Sequence, residues 1–339
     1  MATDKMRAAL AILVVVYIAS PVVFKYSPKI QSFLLFMNHV NTQYNLNLSR
    51  PEQIGLKCAR LLRLEHSSSS PEASIELGAW HILPESSLPS CTTHLETNRT
   101  TIGNSMAFAD TRPIVLYIHG NGGNRGSNHR SQLYRRLAYE HNYHVVTFDY
   151  RGYGDSTWVA PNAEGLSLDA RLVYLWLISQ PNVTKSRVIV WGHSLGTAVA
   201  VRMLADLKES DRPKGLVLEA PFDSVANAVA NHPFSIPFRI IPYFDYFFVE
   251  PIEKSSDLNF DSASRIVEIK PTSIMILHAE DDAIIPISLG RNLYKHATKV
   301  LGEEKVEFVQ ISEKYGSGHK HIWNHDETMA RVKRFVEDE

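Results

Sequence analysis

Apolar positions recur along this chain with two different periods, and the alternation between the periods predicts its elements. Short runs rich in β-branched residues predict strands at Ile75 to Leu83, Ile114 to Ile118, His144 to Phe148, Val188 to Trp191, Leu216 to Leu218, Ser273 to Leu277 and Val306 to Ile311. Between them, apolar residues fall at helical spacing from Ser131 to Glu140, Leu168 to Ser179, Ala198 to Leu207, Leu289 to Lys299 and Asp326 to Glu337. Nearly continuous apolar strands alternating with amphipathic helices predict an α/β fold, a mostly parallel sheet with helices on both faces. The segments from Ser67 to Ser70 and from Glu85 to Thr111 are rich in Ser, Thr, Asn and Pro and lack periodicity, so they predict loops. No internal repeat is evident.

The N-terminus has a different pattern. Seventeen uncharged residues lie between Arg7 and Lys25, the lower limit for a membrane-spanning helix and long for a signal-peptide core. Ser20 precedes Pro21, and Tyr17 and Ile18 stand where a signal peptidase wants small residues, so an uncleaved signal anchor is preferred to a removed signal peptide or a buried core helix. Basic residues flank the stretch on both sides, which leaves its orientation open. Ile30, Phe33, Leu34, Met37 and Val40 repeat at helical spacing, and either pack on the domain or lie on a bilayer surface. The expected organisation is a tail and anchor over 1–29, a connecting segment over 30–74 and a catalytic domain over 75–339.

With 339 residues, 44% hydrophobic and 21% charged, the chain can bury one large core, and a net charge of −1 argues against nucleic acid as its main partner. Its two cysteines, Cys58 and Cys91, allow one disulfide and exclude a cysteine-rich zinc site. Triplets beginning at Asn47, Asn98 and Asn182 are glycosylation candidates if the chain faces a lumen.

The chemistry concentrates where the strand from Val188 runs into Gly192-His193-Ser194-Leu195-Gly196 and then a helix former. Strand, sharp turn and helix around G-x-S-x-G make a nucleophile elbow, with Ser194 the candidate nucleophile and Leu195 N–H an unpaired donor at the helix start. Serine needs a base, and the base needs an acid to orient it. Asp282, after the strand ending at Leu277, is the candidate acid, with Asp281 beside it and Asp223 further back as alternatives. His319, between glycines after the last strand, is the candidate base, with His321 and His325 as alternatives. The glycine-rich loop from His119 to Asn124 offers Asn121 N–H as the second oxyanion donor; it lacks the spacing and lysine of a nucleotide loop. Arg125 and Arg130 follow it in a basic cluster that reads either as a solvated helix face or as an anionic-headgroup site. An insertion, about 224–270, holds the aromatic stretch from His232 to Ile252, including Phe247 and Phe248; it reads either as an acyl-binding or membrane-dipping cap or as a packed helical insertion.

The segments LYIHGNGGNRGSNHR, HVVTFDYRGYGDS, VIVWGHSLGTAVA, NHPFSIPFRIIPYFDYFFVEPI, ILHAEDDAIIPISLGRNLY and GHKHI together resemble the α/β-hydrolase superfamily. They are most similar to its membrane-anchored lysophosphatidylserine and monoacylglycerol lipases. The resemblance implies Ser194, Asp282 and His319 as the triad and no metal or organic cofactor. It also implies monoacyl-lipid ester hydrolysis by a single-pass protein whose catalytic domain faces the endoplasmic reticulum lumen. An acyl-protein thioesterase or a serine peptidase would share the same triad, and a hydrolase-like binding protein without turnover is the alternative from another class.

Overall fold

The computed structural model describes residues 2–40, 46–66, 74–88, 107–270 and 272–338. Its centre is an eight-stranded sheet, formed by Ala59–His66 (β1), Ile75–Ile82 (β2), Ile114–Ile118 (β3), His144–Phe148 (β4), Val188–His193 (β5), Gly215–Glu219 (β6), Ser273–Ala279 (β7) and Val306–Ile311 (β8). The spatial order is β1-β2-β4-β3-β5-β6-β7-β8. From β4 to β8 every neighbouring pair is parallel, while β1 and β2 extend the sheet antiparallel. All residues of β3, β4, β5 and β6 are buried, as two covered faces require.

The covering helices are Asn128–Arg135 (α3), Ala163–Ile178 (α4), Leu195–Ala205 (α5), Ile287–Leu301 (α7) and Asp326–Glu337 (α8), with Val225–Asn231 (α6) opening the insertion. α5 is apolar nearly all round because it lies against β5 and α4, with nine of its residues buried. A large cluster containing Leu116, Val190, Val199 and Leu218 fills one face of the sheet, and a second containing Trp80, Tyr117, Trp191 and Met275 fills the other.

The strand β1 arises inside the segment read as a connector. Arg60 and Arg63 interrupt the alternation expected of a half-buried strand: Arg60 is buried with its guanidinium 3.5 Å from His81 Nδ1, while Arg63 is exposed and pairs with Asp155 at 2.8 Å. It pairs with β2 from Ala59 opposite Ile82 to His66 opposite Ile75.

At the N-terminus Ala2–Tyr26 (α1) is followed by Pro28–Phe36 (α2). Within α1, Asp4–Tyr26 is long and apolar enough to cross a membrane, and its most apolar window is only 11% buried, unlike a core helix. Gln31 Nε2 donates to Phe24 O at 2.7 Å and Lys25 O at 3.0 Å, satisfying carbonyls at the end of α1 and fixing the angle to α2. Phe36 and Gln31 are buried, so α2 packs on the domain rather than lying free.

Candidate active site

Ser194 follows the last residue of β5 and caps α5, with φ 52° and ψ −119°. That region is sparsely populated for any residue with a side chain, and it turns the chain sharply enough to leave the serine at the carboxyl edge of the sheet. Two glycines permit the turn. A Cβ on Gly192 would lie 2.5 Å from Gly196 O, and one on Gly196 would lie 2.0 Å from Ile118 O. Ser194 N–H donates to Glu219 O at 2.9 Å, and Ser194 O accepts from Thr197 N–H at 2.9 Å, pinning the elbow to β6 and to its own helix.

The acid and base meet through the loops after β7 and β8. His319 Nδ1 and Asp282 Oδ2 lie 2.7 Å apart. The other oxygen of Asp282 accepts from the Ile284 and Ile285 N–H groups, each at 2.9 Å, so the carboxylate cannot rotate freely. Burial works to raise its pKa, yet hydrogen bonds from His278 and His319 outweigh burial and hold it well below the usual carboxylate range. Asp281 instead accepts from Gly318 N–H at 3.0 Å, which positions the backbone that carries His319. Asp223 holds Asn227 and the Ser224 N–H at the start of α6. His325 meets Ser317 at 2.7 Å, and His321 points elsewhere, its ring 6.1 Å from Trp323.

The His319 ring lies 5.0 Å from that of His193, the residue before Ser194, and the His193 Nε2 is 2.9 Å from His319 O. Burial, then the neighbouring His319, depresses the His193 pKa far below its ordinary value, so this ring is a neutral spacer between elbow and base.

Ser194, Leu195 and Asn121 line one apolar cavity of about 450 Å³. Among the described residues, neither Leu195 N–H nor Asn121 N–H donates to another group, so both are available to a ligand oxygen. The loop that carries Asn121 is tied from behind. Arg130 donates to Gly120 O at 2.9 Å, Gly122 O at 3.0 Å and Asn124 O at 2.7 Å, which holds those carbonyls away from the cleft.

This corrects the reading of the two arginines as headgroup ligands. Arg130 and Arg125 are each 2% exposed and neither lines the cavity. Arg125 pairs with Asp149 and Asp155 and lies over the Trp80 ring, 4.7 Å from its centroid. Both arginines are scaffold, because a buried guanidinium needs carboxylates or carbonyls and these sites supply them. Of the two aromatic candidates, Phe248 lines the cavity and Phe247 does not. Asn47 and Asn182 are exposed, and Asn98 lies outside the described residues.

Two features escaped sequence reading. The first is the far wall of the cavity, built by Phe24 of α1 and by Phe33, Leu34 and Met37 in and after α2, which face Val229, Phe238 and Phe248 of the insertion. The helical period of Ile30 to Val40 shows an apolar face without saying what it faces. The second is Glu219, at the end of β6 beneath the elbow. Burial pushes its carboxyl up to about 8, against the Trp191 N–H donated to Oε2 and with help from the charge on Asp282. A folded pKa of about 8 against an ordinary 4.5 means the folded state binds this proton more tightly. Its stabilising share is therefore complete below the unfolded value and is lost as pH rises through the folded one. Thermal unfolding of Glu219→Gln and wild type from pH 5 to 8.5 should show the two melting temperatures diverging in favour of the variant as pH rises; parallel curves would mean that Glu219 is ionised throughout.

The alpha/beta hydrolase family model matches residues 115–334. The lysophosphatidylserine lipase ABHD12 of Danio rerio is 37% identical over 322 residues, covering 94% of this chain and 80% of that protein. The protein of the same name from Gallus gallus is 36% identical over 335 residues, covering 98% and 84%. Among solved structures, an esterase from Pyrococcus furiosus superposes with a TM-score of 0.59 at 18% identity, over 88% of this chain and 97% of that one. An acylaminoacyl peptidase from Pyrococcus horikoshii superposes with a TM-score of 0.53 at 14% identity, over 82% and 41%.

Proposed function

The chain belongs to the alpha/beta hydrolase family, and on that premise we propose that it is a membrane-anchored lipase that hydrolyses the acyl ester of lysophosphatidylserine or monoacylglycerol. The observation that carries the reading is the His319–Asp282 pair, 2.7 Å apart, with the His319 ring 5.0 Å from that of His193 and the next residue, Ser194, lining an apolar cavity of about 450 Å³. That volume falls within the range of about 300–1,000 Å³ found for small-ligand sites.

Ser194 Oγ attacks the acyl carbonyl carbon while His319 Nε2 accepts its proton. The carbonyl oxygen becomes an oxyanion facing the Asn121 and Leu195 N–H groups, each donor worth about 3 kcal/mol. As the C–O bond breaks, His319 returns the proton to the departing glycerol oxygen, leaving the acyl group on Ser194. Water then attacks that ester with His319 again as base, releasing the fatty acid and restoring the serine. Asp282 holds the imidazole with Nδ1–H toward itself and stabilises the imidazolium.

The identity of the alcohol is left to the substrate, because the cavity walls are apolar and suit the acyl chain. The protein is proposed to span the endoplasmic reticulum membrane once through α1, with the catalytic domain in the lumen and Asn47, Asn98 and Asn182 as glycan acceptors. The disulfide at Cys58 suits an oxidising compartment; Cys91 lies outside the described residues.

Membranes carrying the wild type should label with a fluorophosphonate and release fatty acid from lysophosphatidylserine or monoacylglycerol faster than from a thioester or a peptide. Labelling with turnover of the thioester or peptide alone would keep the serine hydrolase and discard the lipase, and absence of labelling would discard both.

A further inference from the structure

The anchor helix does not stand apart from the domain. Tyr17 stacks on Phe238 of the insertion, with centroids 5.2 Å apart and planes at 14°, and its hydroxyl donates to Pro237 O. Two turns later Phe24 meets Phe248 at 5.1 Å. At the end of α1, Lys25 Nζ lies 3.1 Å above the Tyr246 ring, donates to Tyr246 O at 2.8 Å and pairs with Glu250 at 3.1 Å.

These contacts set a depth. If Asp4–Tyr26 spans the bilayer, Lys25 marks the water boundary, and Tyr17, eight residues before it, lies roughly 12 Å below at 1.5 Å per residue. Pro237 and Phe238, held against Tyr17, share that depth. The surface there is suited to lipid: Ile236 is 58% exposed, Ile240 84% and Tyr243 78%. Between Phe234 and Phe244 the only charged residue is Arg239, and its guanidinium is tied to the cap itself, donating to Ser235 Oγ at 3.0 Å and His232 O at 3.4 Å. A water-facing surface does not ordinarily carry such a contiguous apolar patch.

The same residues bound the cavity. Phe24, Phe238 and Phe248 all line it, so on this side the wall is the Phe24–Phe248 pair together with Phe238, the residue on which Tyr17 stacks from outside. We infer that the cap is sunk into the leaflet beside α1, and that the acyl chain of the substrate reaches Ser194 sideways from the bilayer, the aromatic contacts that close the seam between α1 and the cap parting to admit it. The inference rests on the lipase reading above and adds the route. The occupant of the exposed apolar surface is lipid rather than a partner protein, because the helix that crosses the bilayer is the one against which that surface is held.

The test uses the full chain in phosphatidylcholine vesicles. Ile236→Asp combined with Ile240→Asp alters side chains that point away from the cavity. Hydrolysis of a long-chain lysophospholipid in the vesicles should fall about tenfold or more, since carboxylates resist entry into hydrocarbon, while hydrolysis of a short soluble ester should be unchanged. In parallel, an environment-sensitive fluorophore on Ile240→Cys should be quenched by bromine on the acyl chains and spared by aqueous iodide. Equal rates for variant and wild type on vesicle lipid, an equal fall on both substrates, quenching by iodide, or shielding from both quenchers as by a bound protein would each overturn the route. A wild type that turns over the short ester and no lipid would instead overturn the lipase reading itself.

Discussion

Ser194→Ala is expected to abolish release of fatty acid, by a factor on the order of 10⁵ to 10⁶, as for loss of the nucleophile in other triads, with fluorophosphonate labelling lost as well. The fold should not suffer. Ser194 contributes its backbone to the elbow, and its hydroxyl holds no other element in place. The more informative companion is Ser194→Gly. At φ 52° and ψ −119° the serine backbone carries strain, typically about 1–3 kcal/mol for a residue with a Cβ. Glycine adopts the conformation freely and loses about 0.5–1 kcal/mol to unfolded-state entropy. The glycine variant should therefore be inactive and melt at a higher temperature than the alanine variant, by a few degrees. Fatty-acid release above background from the alanine variant would exclude Ser194 as nucleophile, and a glycine variant less stable than alanine would show that the elbow stores no strain.

Gly196→Ala should damage both fold and activity. The added methyl would sit 2.0 Å from Ile118 O and 2.8 Å from His119 O, and both are backbone atoms of β3 and its loop that cannot rotate away. Relief requires α5 to move off the sheet, at a cost of about 1–3 kcal/mol or more. The same shift carries Leu195 N–H away from the oxyanion and Ser194 away from His319. A displacement near 1 Å commonly costs about a hundredfold in rate. Thermal unfolding and ester hydrolysis on the same preparation check this. A variant that melts with the wild type and keeps full rate would mean that β3 and α5 are not in the close contact described.

The elbow, the central strands and the His319–Asp282 partnership were legible in the sequence because each is local. A β-branched run followed by glycines at fixed spacing is written in consecutive residues, and the acid and base sit just past their strands. Features created by the packing of distant segments were not. β1 is an edge strand whose arginines break the pattern that would announce it. Arg125 and Arg130 look like a solvated basic face until Asp149, Asp155 and the carbonyls from Gly120 to Asn124 are brought around them. The acid reads as Asp282, at the end of its strand, with Asp281 beside it as an alternative. In the structure the two carboxylates part, Asp282 reaching the His319 imidazole and Asp281 the backbone N–H of Gly318. The apolar face of Ile30 to Val40 was visible, while the cavity it completes appears only when α2 folds back over Ser194.

The aromatic seam between α1 and the cap also determines which concentration such an enzyme senses. A site entered from water responds to moles per litre, whereas one whose wall is shared with the bilayer responds to molecules per unit area. Diluting the substrate lipid with inert phospholipid should then slow the enzyme even when the total substrate in the tube is constant. Adding more vesicles of unchanged composition should leave a membrane-resident enzyme indifferent. Turnover becomes a property of membrane composition, so neighbouring lipids that never enter the site still set its rate by crowding the plane from which it draws.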